Sequence, residues 1–207
     1  MKLSDYWEKE ASPSYAHLID EKGRGLGEGS KVLELFKDTF LERIDFKNKT
    51  VIDYGLGGGW LGRYLFRNKE IKKYIGIDVA KRSLEVAENV LNQWVNQCKF
   101  CLTPVQFKHL RADIFISLAC IQHFPSKDYL LGFLDNVDTS DIPDVVLQIR
   151  NGETDFNGAY EAEGDVGRAC RTTPEFVSKY LPGYSLEFAS EANPKSGYQY
   201  LVFKKVS

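Results

Sequence analysis

Between Asp53 and Gly62 the sequence reads DYGLGGGWLG, one carboxylate and then a glycine-rich loop. Glycines let a backbone turn tightly and pass close to a ligand. Three ligands fit the spacing. Gly57, Gly59 and Gly62 spell G-x-G-x-x-G, the pattern that seats a dinucleotide pyrophosphate on a helix N-terminus. Gly57 to Gly62 followed by a basic residue has the outline of a nucleotide phosphate loop. Asp53, Gly55, Gly57 and Gly59 spell D-x-G-x-G-x-G, which places a negative charge ahead of the turn.

A phosphate loop needs Lys and then Ser or Thr after its last glycine, to reach the phosphates and hold magnesium. Arg63 and Tyr64 follow Gly62 instead, so that reading fails. The dinucleotide reading has a strand before the loop, a helix after it, and Asp78 at the distance of a ribose contact. Against it, Asp53 would face a diphosphate, and the chain offers no hydride-transfer site. S-adenosylmethionine (SAM) makes the opposite demand: an ammonium and a sulfonium, and no phosphate. There a carboxylate at the loop entrance helps, and Asp78 accepts from the ribose hydroxyls.

Other residues could act on a second substrate. His123 follows the fourth expected strand and is the candidate general base, with an ordering role at the next helix start as the alternative. Arg150 ends the fifth strand and could clamp an anionic group, or pair with a nearby acid. Tyr6, Trp7 and Tyr15 could fold over a ligand as a lid, or pack on the sheet. Tyr160, with Asp155 and Glu161, lies in the loop expected to set substrate choice. Cys98 and Cys101 form a C-x-x-C without a second pair, and read as half-buried thiols rather than a zinc or redox site.

The elements that must hold these residues alternate. Ser30 caps an expected helix over KVLELFKDTFLERI, after a glycine-rich stretch from Gly23 to Gly29. TVIDYG, KYIGIDV, KFCLT, ADIFISL and DVVLQIR read as strands. WLGRYLFRN, RSLEVAENVLNQWV and SKDYLLGFLDNV read as helices between them. TTPEFVSKYL opens with helix-start chemistry, a threonine cap and a proline in the first turn. YSLEFAS and YQYLVFKK then alternate as an antiparallel hairpin. This rhythm means crossover units and a mostly parallel sheet.

Residues 51–123 resemble the class I SAM-dependent methyltransferases of the small-molecule type. VIDYGLGGGWLG resembles that family's first motif, YIGIDVAKRSLEVAEN its second, with Asp78 as the ribose acid, and ADIFISLACIQHF its fourth-strand segment. The resemblance implies an α/β fold: a seven-stranded, mostly parallel Rossmann-like sheet with a C-terminal antiparallel hairpin and helices on both faces. It implies transfer of a methyl group from SAM to oxygen, nitrogen or carbon of a small molecule, releasing S-adenosylhomocysteine. Asp53, Gly55, Leu56, Gly57, Gly59, Asp78 and Val79 would hold the cofactor, with Ser117 and Leu118 on the sulfur side. The family's acidic residue after the third strand is missing from LTPVQF, so Thr103 or a backbone carbonyl would meet the adenine. A SAM-binding partner or sensor without transferase activity and an NAD(P)-dependent oxidoreductase are the competing functions.

At 207 residues the chain suits one main domain, residues 31–207, behind a lead segment of residues 1–30. A formal net charge of -2 gives no footprint for bulk nucleic acid or an anionic membrane. SLAC stands where methylases of DNA bases or protein glutamine carry an Asn/Asp-Pro-Pro-aromatic tetrad. The expected partner is therefore a small-molecule acceptor, with no nucleic acid and no membrane, for a metal-free monomer or homodimer. Four cysteines and a polar, acidic N-terminal stretch suggest the reducing cytoplasm.

Overall fold

Short runs of β-branched and aromatic residues flanked by polar turns become strands, and the amphipathic segments between them become helices. The computed structural model describes residues 36–152, 156–157, 170–194 and 197–206. The strands are β1 (Thr50–Tyr54), β2 (Lys73–Asp78), β3 (Cys98–Leu102), β4 (Ile114–Ser117), β5 (Asp144–Arg150), β6 (Phe156–Asn157), β7 (Arg171–Thr172), β8 (Tyr184–Ala189) and β9 (Tyr198–Lys205). The α-helices are α1 (Trp60–Lys69), α2 (Lys81–Val90), α3 (Lys127–Asp138) and α4 (Pro174–Lys179). Seven strands build one sheet, mostly parallel, with an antiparallel C-terminal hairpin.

Two compact units divide after Val105. In the first, β3, β2 and β1 run parallel in that order, with Val51, Ile52 and Ile77 wholly buried. Apolar residues on both sides of such strands are what a covered parallel sheet requires. Helix α2 packs on β2 and β3. Gly59, the N-cap of α1 at φ 74°, lets α1 and α2 approach: a Cβ there would stand 2.9 Å from the Ala87 Cβ.

In the second unit the order is β4, β5, β9, β8, with β4 and β5 parallel and β9 antiparallel to both its neighbours. Ser126 caps α3, its hydroxyl accepting from the Tyr129 amide, and Thr173 caps α4 in the same way ahead of Pro174. Both caps are the ones the sequence chemistry indicates. The two-residue strands β6 and β7 pair separately and were not anticipated.

Two helices depart from expectation. The helix expected through Val95 stops at Val90 and tightens into a 3₁₀ turn over Asn92–Gln97. That turn lays Trp94 flat on Phe66, ring centroids 5.2 Å apart, and leaves Val95 44% exposed. An uninterrupted α-helix would instead set Val95 beneath Leu91, so the aromatic stack decides the geometry. Of the helix expected over residues 31–44, the described part is a π-turn at Lys37–Leu41, with Phe36 and Phe40 buried and 5.3 Å apart.

Gly59→Ala combines a left-handed backbone with a clash against α2. Chemical denaturation should show a loss on the order of 2–4 kcal/mol; a change under about 0.5 kcal/mol would mean that the close approach is not needed.

Candidate functional site

Strand β1 ends in Asp53 and Tyr54, and the glycine loop then folds back on the end of β2. The Gly55 and Leu56 amides both donate to the Ile77 carbonyl, at 2.8 and 3.2 Å. The Gly57 amide donates to Asp78 Oδ2 at 3.0 Å. Gly59 completes the turn by donating to the Leu56 carbonyl at 3.0 Å. Gly55, Gly57 and Gly59 have φ of 79°, 53° and 74°, a conformation that costs any other residue of order 1–2 kcal/mol. The alternating glycines of the first motif therefore answer a backbone demand.

These bonds determine what the loop can offer a ligand. A pyrophosphate cradle needs loop N–H groups aimed outward. Here four loop amides are spent inside the fold, on Ile77, Asp78 and Leu56. Asp78 is held from both sides, since its Oδ1 accepts from the Ala80 amide at 2.9 Å. Val79, half-buried, lies between these two anchors, and the Thr103 amide donates to the Asp78 carbonyl at 2.9 Å. Asp53, Gly55, Leu56, Gly57, Gly59, Asp78, Val79 and Thr103 are thus brought together around the ends of β1, β2 and β3.

Asp53 is only 3% exposed, and its Oδ2 accepts from the Tyr74 hydroxyl at 2.6 Å. Burial drives its carboxyl from 3.8 up to about 7; the Tyr74 bond opposes the rise, and the Asp78 charge adds to it. At neutral pH this acid is poised between forms rather than the plain charge that the sequence suggested. Tyr74, wholly buried, stays a phenol and donates.

In the second unit Ser117 is wholly buried at the end of β4, and Leu118 is half-buried just beyond it. Ala119 has φ of 50°, and its amide donates to Gln148 Oε1 at 2.5 Å, while Gln148 Nε2 donates to the Tyr200 hydroxyl at 3.1 Å. His123 is half-buried on a 3₁₀ turn over Ile121–His123. The cap of α3 is Ser126, so His123 does not begin that helix. Arg150 is half-buried at the end of β5, opposite Tyr198. Tyr6, Trp7, Tyr15, Asp155, Tyr160 and Glu161 lie outside the described residues. Cys98 and Cys101, three apart on β3, leave the strand on opposite faces, and burial pushes the Cys98 thiol up to about 11.

Tyr74 and Gln148 were missed by the sequence reading. The signal for Gln148 is a polar residue inside an otherwise apolar strand. For Tyr74 it is a phenol inside an apolar strand, whose hydroxyl must find a partner when buried.

Residues 52–138 match the family model described as a methyltransferase domain. That segment is similar to the methyltransferase domain family over less than half of the chain. Sequence relatives of the domain include the ribosomal protein L11 methyltransferase of Glaesserella parasuis serovar 5 (strain SH0165), 28% identical over 113 residues. That match covers 54% of this chain and 38% of the relative, so the chain spans about two fifths of the curated proteins it matches. Among solved structures, the N-methyltransferase NodS from Bradyrhizobium japonicum WM9, in complex with S-adenosylhomocysteine, superposes with a TM-score of 0.70 at 14% identity, covering 100% of both chains. The 1,6-didemethyltoxoflavin-N1-methyltransferase of Burkholderia thailandensis follows at 0.66 and 13% identity, covering 100% of this chain and 92% of that one. At such identities the likeness is one of fold. Among the described residues, no helix is long and apolar enough to cross a membrane.

A carboxyl whose pKa is higher in the folded chain than in the unfolded one favours the native state at low pH. That contribution, on the order of a few kcal/mol, is lost as pH rises from about 4 through about 7. Asp53→Asn keeps an acceptor for Tyr74 and cannot ionise. Its melting temperature should therefore fall less between pH 5 and pH 8 than that of the unaltered protein; parallel curves would mean that Asp53 ionises normally.

Proposed function

We propose that the protein transfers a methyl group from SAM to a small-molecule acceptor at oxygen, nitrogen or carbon, releasing S-adenosylhomocysteine. The observation that carries this reading is the pairing of inward-turned loop amides with two carboxylates at the strand ends. The loop turns N–H groups inward on Ile77, Asp78 and Leu56 and keeps acids at the ends of β1 and β2. A cationic amino-acid nucleoside suits that set, and a diphosphate does not. Asp53 would meet the ammonium, Asp78 the ribose hydroxyls, and Gly55, Leu56 and Gly57 the methionine backbone. Val79 and Thr103 would flank the adenine, and Ser117 and Leu118 the sulfur.

The bound sulfonium supplies an electrophilic methyl group, which passes to a lone pair of the acceptor in an in-line displacement. Positioning and exclusion of water do most of the work in such a step. The acceptor's proton then needs a base, and His123, on the 3₁₀ turn beyond β4, is the proposed one. Arg150 is proposed to clamp an anionic group on the acceptor. A small molecule is supported by the chain's near-neutral charge and by the acceptor named for the Burkholderia protein. The L11 relatives act on a ribosomal protein by name, but they match over little more than half of this chain. The proposed setting is the cytoplasm, with no nucleic-acid or membrane partner and with the enzyme a monomer or homodimer.

Thermal shift tests the ligand class. At a hundredfold excess over Kd, S-adenosylhomocysteine should raise the melting temperature by about 5–10 °C, and NAD or NADP should leave it in place. Stabilisation by a nicotinamide nucleotide alone would replace this reading with an oxidoreductase. Tight SAM binding with no turnover across a broad acceptor panel would replace it with a binding or sensor domain.

A further inference from the structure

Tyr74 is among the largest wholly buried side chains of the protein, on a strand where Ile or Val would pack as well. A buried phenol must place its hydroxyl, and this one donates to Asp53 Oδ2 at 2.6 Å, the length of a charge-assisted bond. The register shows how it reaches. Asp53 stands directly opposite Gly76, and Tyr74 sits two residues earlier on the same face of β2, so the pair is diagonal. The ring must therefore lie along the strand and over position 76. A Cβ at Gly76 would be 3.1 Å from Tyr74 Cε1. From the other side α1 closes in, and a Cβ at Gly62 would be 2.8 Å from Tyr74 Cε2 and Cζ. Two bare positions hold the ring in one pose.

Packing alone does not call for this arrangement, because phenylalanine would fill the same slot without burying a hydroxyl. We infer that Tyr74 is a positioning residue for the amino-acid end of the bound nucleoside: by holding Asp53 Oδ2 it turns Oδ1 towards the ligand's ammonium. The inference rests on the proposed SAM reading of the site and gives Tyr74, the first residue of YIGIDVAKRSLEVAEN, a role that the motif resemblance did not assign it. It makes Gly62 and Gly76 part of the same device, since each provides space for the ring.

Calorimetry with two ligands separates this role from packing. S-adenosylhomocysteine carries the ammonium; 5′-methylthioadenosine keeps the thioether and nucleoside but lacks the amino-acid end. Tyr74→Phe should weaken S-adenosylhomocysteine about tenfold or more, as loss of a bond to a charged group does. It should leave methylthioadenosine within about twofold. In an Asp53→Asn background the same change should cost nothing further. Gly62→Ala, whose added Cβ would meet the Tyr74 ring at 2.8 Å and which removes no polar group, should give the same split and serves if Tyr74→Phe does not fold. Equal weakening of both ligands, or no weakening of either, overturns the inference. Failure of the unaltered protein to bind either ligand overturns the SAM reading instead, before any variant is considered.

Discussion

The capture of the glycine loop by the end of β2 governs the rest of the site. A strand end normally leaves its last carbonyls to solvent or to the next turn, and here the loop after β1 takes them. Ile77 receives two amides and Asp78 a third, which sets the backbone path from Gly55 to Gly57. Only residues that tolerate left-handed geometry can follow that path, hence the glycines at 55, 57 and 59. The same contacts decide the ligand class. With four of its amides spent, the loop has fewer donors for an anion, and the acids at the strand ends are its charged groups.

Those acids occupy different environments. Asp78 is anchored by two backbone amides, from Gly57 and Ala80. Asp53 has one phenolic donor and almost no solvent, so its charge is expensive until a cation arrives. A site that becomes anionic when its ligand binds discriminates in favour of cations without holding an uncompensated charge in the free protein. The raised carboxyl of Asp53 follows from burial, and burial follows from the slot that Gly62 and Gly76 leave for Tyr74.

Much of this was legible in the residues, and the rest was not for physical reasons. The five parallel-sheet strands, the threonine cap of α4 and the closing hairpin follow from periodicity and local chemistry, which act within a few residues. The end of α2 does not, because Trp94 stacks on Phe66, twenty-eight positions earlier in the chain. Tyr74 and Gln148 fell within expected strands without an assigned role, since their partners, Asp53 and Ala119, are neighbours only once the sheet has formed. The carboxylate at the loop entrance was recognised as the discriminating feature, while its unusual proton affinity needed the buried environment to be seen.

If Asp53 is the acid that meets the ligand's ammonium, binding must change its proton occupancy. Calorimetry of S-adenosylhomocysteine binding in buffers of different ionisation heat, from pH 5.5 to pH 8.5, measures that change directly. The structure predicts release of up to one proton near and below about pH 7, fading at higher pH and absent in Asp53→Asn. Binding with no proton exchange at any of these pH values would contradict the account, because a carboxyl poised near neutrality cannot receive a cation without losing its proton.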